Sequence, residues 1–159
     1  MTLGLWYELL KAGVTLAPRQ IAATALRLGE EIYAVDERVR LVVRQGTPLP
    51  APGERPGPPA AWPRELPMRP LWEAVGEGRL LMTSERLRWE TPRGGYDFWW
   101  PQVRAAFSFH TLYYGIVYGE VSYRFQPPGQ RLLKWLTYTA RMAERLQGST
   151  GQEISVAYH

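Results

Sequence analysis

The sequence predicts an α+β fold: an antiparallel sheet of short strands, preceded by short N-terminal helices and followed by one amphipathic helix. Three observations predict it. From Glu31 to Arg44, apolar and polar residues alternate with a period of two. Between residues 71 and 125, short β-prone runs alternate with Gly-, Ser- and Thr-containing turn signals. Over residues 130–147 the pattern changes to a helical stripe.

Residues 1–29 read as a helical extension. Leu3, Trp6, Tyr7 and Leu10 fall at helical spacing and Gly13 stands at a C-cap. Pro18 suits the first turn of a second helix, with Ile21, Ala22, Ala25 and Leu28 on one face and Gly29 at its end. Residues 30–147 then form a single domain. At its start Tyr33, Val35, Val39, Leu41 and Val43 share one parity, while Asp36, Arg38, Arg40 and Arg44 share the other, which reads as one long half-buried strand or two joined by a bend near Asp36–Glu37. Residues 47–70 hold nine of the fourteen prolines and read as a long insertion between two strands, since proline neither donates to a ladder nor continues a helix.

Short strands follow at Leu71–Val75, Arg79–Met82, Leu87–Thr91, Tyr96–Trp100, Ala105–Tyr113 and Ile116–Phe125, with turns at Gly76–Gly78, Thr83–Glu85, Arg93–Gly95 and around Gly115 and Gly119. Residues 96–125 carry eleven of the twenty aromatics, on both parities. Both faces of the sheet must be covered, or one must offer an aromatic surface. In the last helix Leu132, Leu136, Ala140, Ala143 and Leu146 form the buried stripe and Gly148 stands at its C-cap. Residues 148–159 form a tail or one more edge strand.

Composition narrows function further. The chain has 159 residues, a net charge of +4, no Cys, two His and two Asp. Without Cys there are no disulfides, thiolate metal sites or Cys nucleophiles. The few His and Asp leave little for a metal cluster or an acid–base pair, so no catalytic residue, metal or cofactor is expected. His110, opposite in parity to Phe107 and Phe109, reads as an ordinary strand residue. No apolar run approaches the roughly 18 residues of a membrane-spanning helix. The N-terminus lacks a basic region and a cleavage site, so the expected location is cytoplasmic or peripheral at a membrane.

Gly78-Arg-Leu-Leu-Met-Thr-Ser-Glu-Arg-Leu-Arg-Trp89 resembles the hairpin of GRAM and bacterial pleckstrin-homology-like domains, with the pattern G-x-L-x-x-T-x-x-R-[LI]-x-[FW]. Gly29-Glu30-Glu31-Ile32-Tyr33 is similar to the start of that family's first strand, and Phe98–Val103 falls where the family has a strand and corner. The resemblance extends over residues 30–147. It implies a strongly bent antiparallel sheet, or partly open barrel, capped by the C-terminal helix, and a non-enzymatic module that binds proteins or phosphoinositide head groups.

Two surfaces are candidates. Trp99, Tyr113, Tyr114 and Tyr118 would form an aromatic docking surface for a protein partner or a second copy, because Tyr, Trp and Arg dominate interface hot spots. Arg38, Arg40, Arg86 and Arg88 would form an anion site for an acidic lipid head group, which the arginine fork engages in bidentate fashion. Solvation of an outer sheet face by alternating arginines is the more ordinary account of the second set. Only Arg93, Arg104 and Arg124 are basic within residues 93–125, which argues against a nucleic-acid groove.

Overall fold

A computed structural model describes residues 15–21, 26–44, 47, 49, 72–109, 112–128 and 131–157. Eight strands form one open mixed sheet: β1 (Ile32–Arg44), β2 (Trp72–Thr83), β3 (Arg86–Thr91), β4 (Gly94–Trp99), β5 (Val103–Phe109), β6 (Tyr113–Tyr118), β7 (Val121–Gln126) and β8 (Ser155–Ala157). A single 3-10 turn, Trp100–Gln102, separates β4 from β5, and helix α1 spans Leu132–Thr150. The strand order is β4-β3-β2-β1-β7-β6-β5-β8, antiparallel throughout except for the parallel β5–β8 pair. The expected tail is therefore an edge strand.

The sheet curls strongly. Four strand spacings separate β4 from β7, about 19 Å in a flat sheet. Yet the Phe98 ring on β4 lies 4.9 Å from Tyr123 and 5.6 Å from Phe125 on β7, and 5.4 Å from Tyr118 on β6. The two halves thus fold face to face around one aromatic core, and α1 closes the β5–β6–β8 side with Leu132, Trp135, Leu136 and Met142. Tyr114 and Thr139 bond hydroxyl to hydroxyl at 2.6 Å, tying α1 to β6.

Several boundaries differ from the sequence expectation. The first N-terminal helix lies outside the described residues. In the span assigned to the second, residues 18–21 and 26–29 are not helical, and Arg19 instead makes a β-bridge with Ile32. The two runs expected before and after Gly76–Gly78 are one strand, β2, from Trp72 on, because the long β1 offers a continuous partner across Gly76–Gly78. Gly78 also permits the close approach of β3: a Cβ there would stand 2.4 Å from the Glu90 carbonyl oxygen. The final strand run divides into β6 and β7 at Gly119. Helix α1 passes Gly148 and stops at Gly151, whose φ of 75° is the left-handed cap.

The β1 parity changes midway. Asp36 pairs with Leu80 but Val39 with Gly78, so Glu37 and Arg38 together oppose Arg79 in a bulge, with Arg38 at φ 57°. One extra residue moves the inward set from Ala34 and Asp36 to Val39, Leu41 and Val43. Asp36 is therefore buried and not on the outer face. Its carboxylate accepts a hydrogen bond from Trp135 Nε1 at 2.7 Å and pairs with Arg131, which fixes the start of α1.

Candidate functional site

At the β2–β3 hairpin the sequence builds a buried charge cluster. Thr83 Oγ1 accepts the backbone N–H groups of Glu85 and Arg86 and donates to Glu30 Oε2 at 2.6 Å. Arg86 engages both Glu30 oxygens at 2.9 Å and Asp97 Oδ1 at 3.1 Å, and its guanidinium carbon stands 4.9 Å from the Trp99 ring centroid. Asp97 also pairs with Arg88 at 2.8 Å, Arg88 with Glu90 at 2.8 Å, and Glu90 with Arg79. Burial pushes the Glu30 carboxyl up, but the bonds from Arg86, Thr83 and the Arg27 backbone outweigh it, leaving its pKa below the ordinary 4.5.

A depressed carboxylate pKa contributes stability above the unfolded value and loses it as pH falls through the folded one. The unfolding midpoint in urea should therefore drop as the pH falls below 4.5. Glu30→Gln should flatten that part of the profile. An unchanged acid limb in the variant would remove Glu30 as its source.

The four candidate anion-binding arginines do not converge. Arg86 is 3% exposed and consumed by Glu30 and Asp97, so it leaves the anion set. Arg88 and Arg38 line one open concavity of about 740 Å³ with Arg79 and Arg93, but Glu37, Glu77 and Glu90 share its wall. Arg40 lies with Arg38 on a neighbouring, smaller concavity beside Gln126 and Pro127. Arg38, Arg40 and Arg93 are exposed and make no ion pair among the described residues.

The aromatic set also divides. Trp99, Tyr114 and Tyr118 are 2%, 0% and 2% exposed, so they are core residues and leave the docking surface. Burial pushes the Tyr118 phenol up to about 12, and its oxygen accepts the Trp99 N–H at 3.4 Å. Only Tyr113 stands on the outer face, because residues 113, 115 and 117 alternate with the buried 114, 116 and 118.

Around Tyr113 the outer face carries an aromatic band that the sequence reading missed. Phe107 and Phe109 on β5 and Trp72 on β2 are half-buried there. Arg124 on β7 reaches both ways across the sheet: its guanidinium carbon lies 3.5 Å from the Trp72 ring centroid and 3.7 Å from that of Phe109. Trp72 approaches over β1 and Phe109 over β6, from opposite sides. Gly115 makes room for the neighbouring ring, since a Cβ there would stand 2.4 Å from Phe107. The one available signal was aromatics on both strand parities, which required that the second face hold rings too.

His110 lies outside the described residues. Among the described residues no group of three or more His, Cys, Asp and Glu could hold a metal ion, and no helix is long and apolar enough to cross a membrane. Neither protein-family models nor curated proteins give a match to this chain.

Proposed function

We propose that the chain is a non-enzymatic, pleckstrin-homology-like or GRAM-like binding module that acts through protein contacts in the cytoplasm. A curled sheet with a C-terminal helix and the Gly78–Trp89 hairpin support the family reading. One observation carries the function: the half-buried band Trp72, Phe107, Phe109 and Tyr113 on the outer face of the sheet. Rings left partly in water on a rigid sheet are interface anchors, with two side-chain torsions each to immobilise.

The test is association of the full chain in its native lysate and after purification. Phe109→Ser combined with Tyr113→Ser should reduce self-association or recovery of a specific partner at least severalfold while leaving the urea midpoint near wild type. Sedimentation velocity and quantitative pull-down read the two. Equal association of variant and wild type, or a clean monomer with no partner, overturns the reading.

A second reading, anionic head-group binding, rests on the convergence of Arg38 and Arg88 with Arg79 and Arg93 on one concavity. It requires salt-sensitive flotation on vesicles containing acidic lipid, lost in Arg38→Glu combined with Arg93→Glu. Flotation unaffected by that pair removes this reading.

A further inference from the structure

We infer that Arg124 is the specificity determinant of the outer aromatic band, and that it receives a carboxylate side chain, Asp or Glu flanked by apolar residues, from a protein partner. The inference rests on the docking reading above and adds the chemistry of the partner.

The guanidinium of Arg124 is held between Trp72 and Phe109, at 3.5 and 3.7 Å from the ring centroids. Two rings therefore crowd the guanidinium carbon, and an acceptor would have to meet the N–H donors at the guanidinium edge, of which Nε–H is itself buried. Its Nε is buried and has no hydrogen-bond partner, and no ion pair joins Arg124 to an Asp or Glu among the described residues. By contrast, the partly buried arginines of the charge cluster at the hairpin have carboxylates: Arg79 and Arg88 share Glu90, and Arg88 also has Asp97. Burial even pulls the Arg124 pKa below its ordinary value, consistent with a cation partly stripped of water and lacking an anion.

A guanidinium fixed by rings has little rotamer freedom left to lose when a planar acceptor meets its rim, and charge-assisted fork contacts are the strong ones. Half-buried rings beside it favour an acceptor carried on an apolar stem. That combination selects a carboxylate within an apolar peptide segment over a free, fully hydrated phosphate.

The test uses the full chain, labelled with nitrogen-15 and observed at the Arg124 Nε–H resonance, with phenylacetate as the carboxylate probe. Phenylacetamide and inorganic phosphate serve as controls. Phenylacetate should shift the resonance saturably, and the neutral amide should bind about tenfold more weakly or worse, the loss expected for a charge-assisted hydrogen bond. Arg124→Lys, which keeps the charge and lacks the fork, should also lose the carboxylate preference. Equal binding of acid and amide overturns the inference, as does a phosphate shift as large as that of phenylacetate, or no saturable shift at all. The acid–amide comparison needs no variant, so an unstable Arg124→Lys does not affect it. If the probe fails while Phe109→Ser with Tyr113→Ser still abolishes association, the carboxylate inference falls and the docking surface stands. If association is insensitive to that pair while the probe binds, the docking reading falls and Arg124 remains a small-anion site.

Discussion

Replacing Arg86 with methionine is expected to lower the unfolding free energy by about 3–5 kcal/mol in urea denaturation of the full chain. The size follows from what remains behind. Glu30 and Asp97 have side chains 0% exposed, and Arg86 is the cation that touches both. Without it Glu30 keeps Thr83 and the Arg27 N–H as neutral donors, which do not compensate a buried negative charge. Asp97 still has Arg88, so the uncompensated charge falls mainly on Glu30. Combining Arg86→Met with Glu30→Gln should recover part of the loss, and the double-mutant cycle should give a coupling of about 1–3 kcal/mol. A loss below about 1 kcal/mol, the range of solvated surface pairs, would mean that the cluster is not closed to water.

Phe98→Ala should cost a similar amount, about 3–5 kcal/mol. Phe98 is fully buried and its ring meets Tyr118, Tyr123 and Phe125 edge-on, so it joins the β2–β4 half of the sheet to the β6–β7 half. Truncation removes the edge-to-face contacts and leaves a cavity that two facing sheet halves cannot collapse without uncurling. Phe98→Leu retains most of the volume and should cost clearly less. Urea unfolding with near-ultraviolet circular dichroism checks both, the second reporting loosened aromatic packing before the backbone signal falls. If Phe98→Ala were no worse than Phe98→Leu, the curl would not be held at this ring.

The hairpin was legible in the sequence because its determinants are local. Leu80, Met82, Leu87 and Trp89 alternate inward and are buried, and Thr83 bonds the turn it begins. Arg86 was legible as part of the motif but not as a buried residue. Its partner Glu30 lies 56 positions earlier, and no spacing rule brings the two together. Asp36 was misplaced by a different mechanism. A bulge whose left-handed residue is Arg38, and not glycine, adds one position to β1 where the sequence offered no more than the alternative of a bend near Asp36–Glu37, and Ala34 and Asp36 turn inward while Tyr33 stays in the core. The aromatic strands posed a third problem. With Tyr113 and Tyr114 adjacent, alternation alone does not decide which ring enters the core. Helix α1 decides it, because Thr139 takes the Tyr114 hydroxyl.

Chain order and sheet order disagree at two junctions, β1–β7 and β5–β8, and the first has the longer reach. The first strand in the chain is fourth in the sheet, and its Arg40–Val42 segment pairs with Gln126–Arg124. During synthesis β1 can pair with β2, β2 with β3 and β3 with β4 once residues through 99 have emerged, but the other edge of β1 stays unsatisfied until β7 arrives. Contacts of such sequence separation close slowly, because loop entropy is lost before any packing is gained. Among the ladders of the described strands, β1–β7 spans the longest sequence separation, so its closure costs more loop entropy than the β2–β3 hairpin that the sequence marks most clearly.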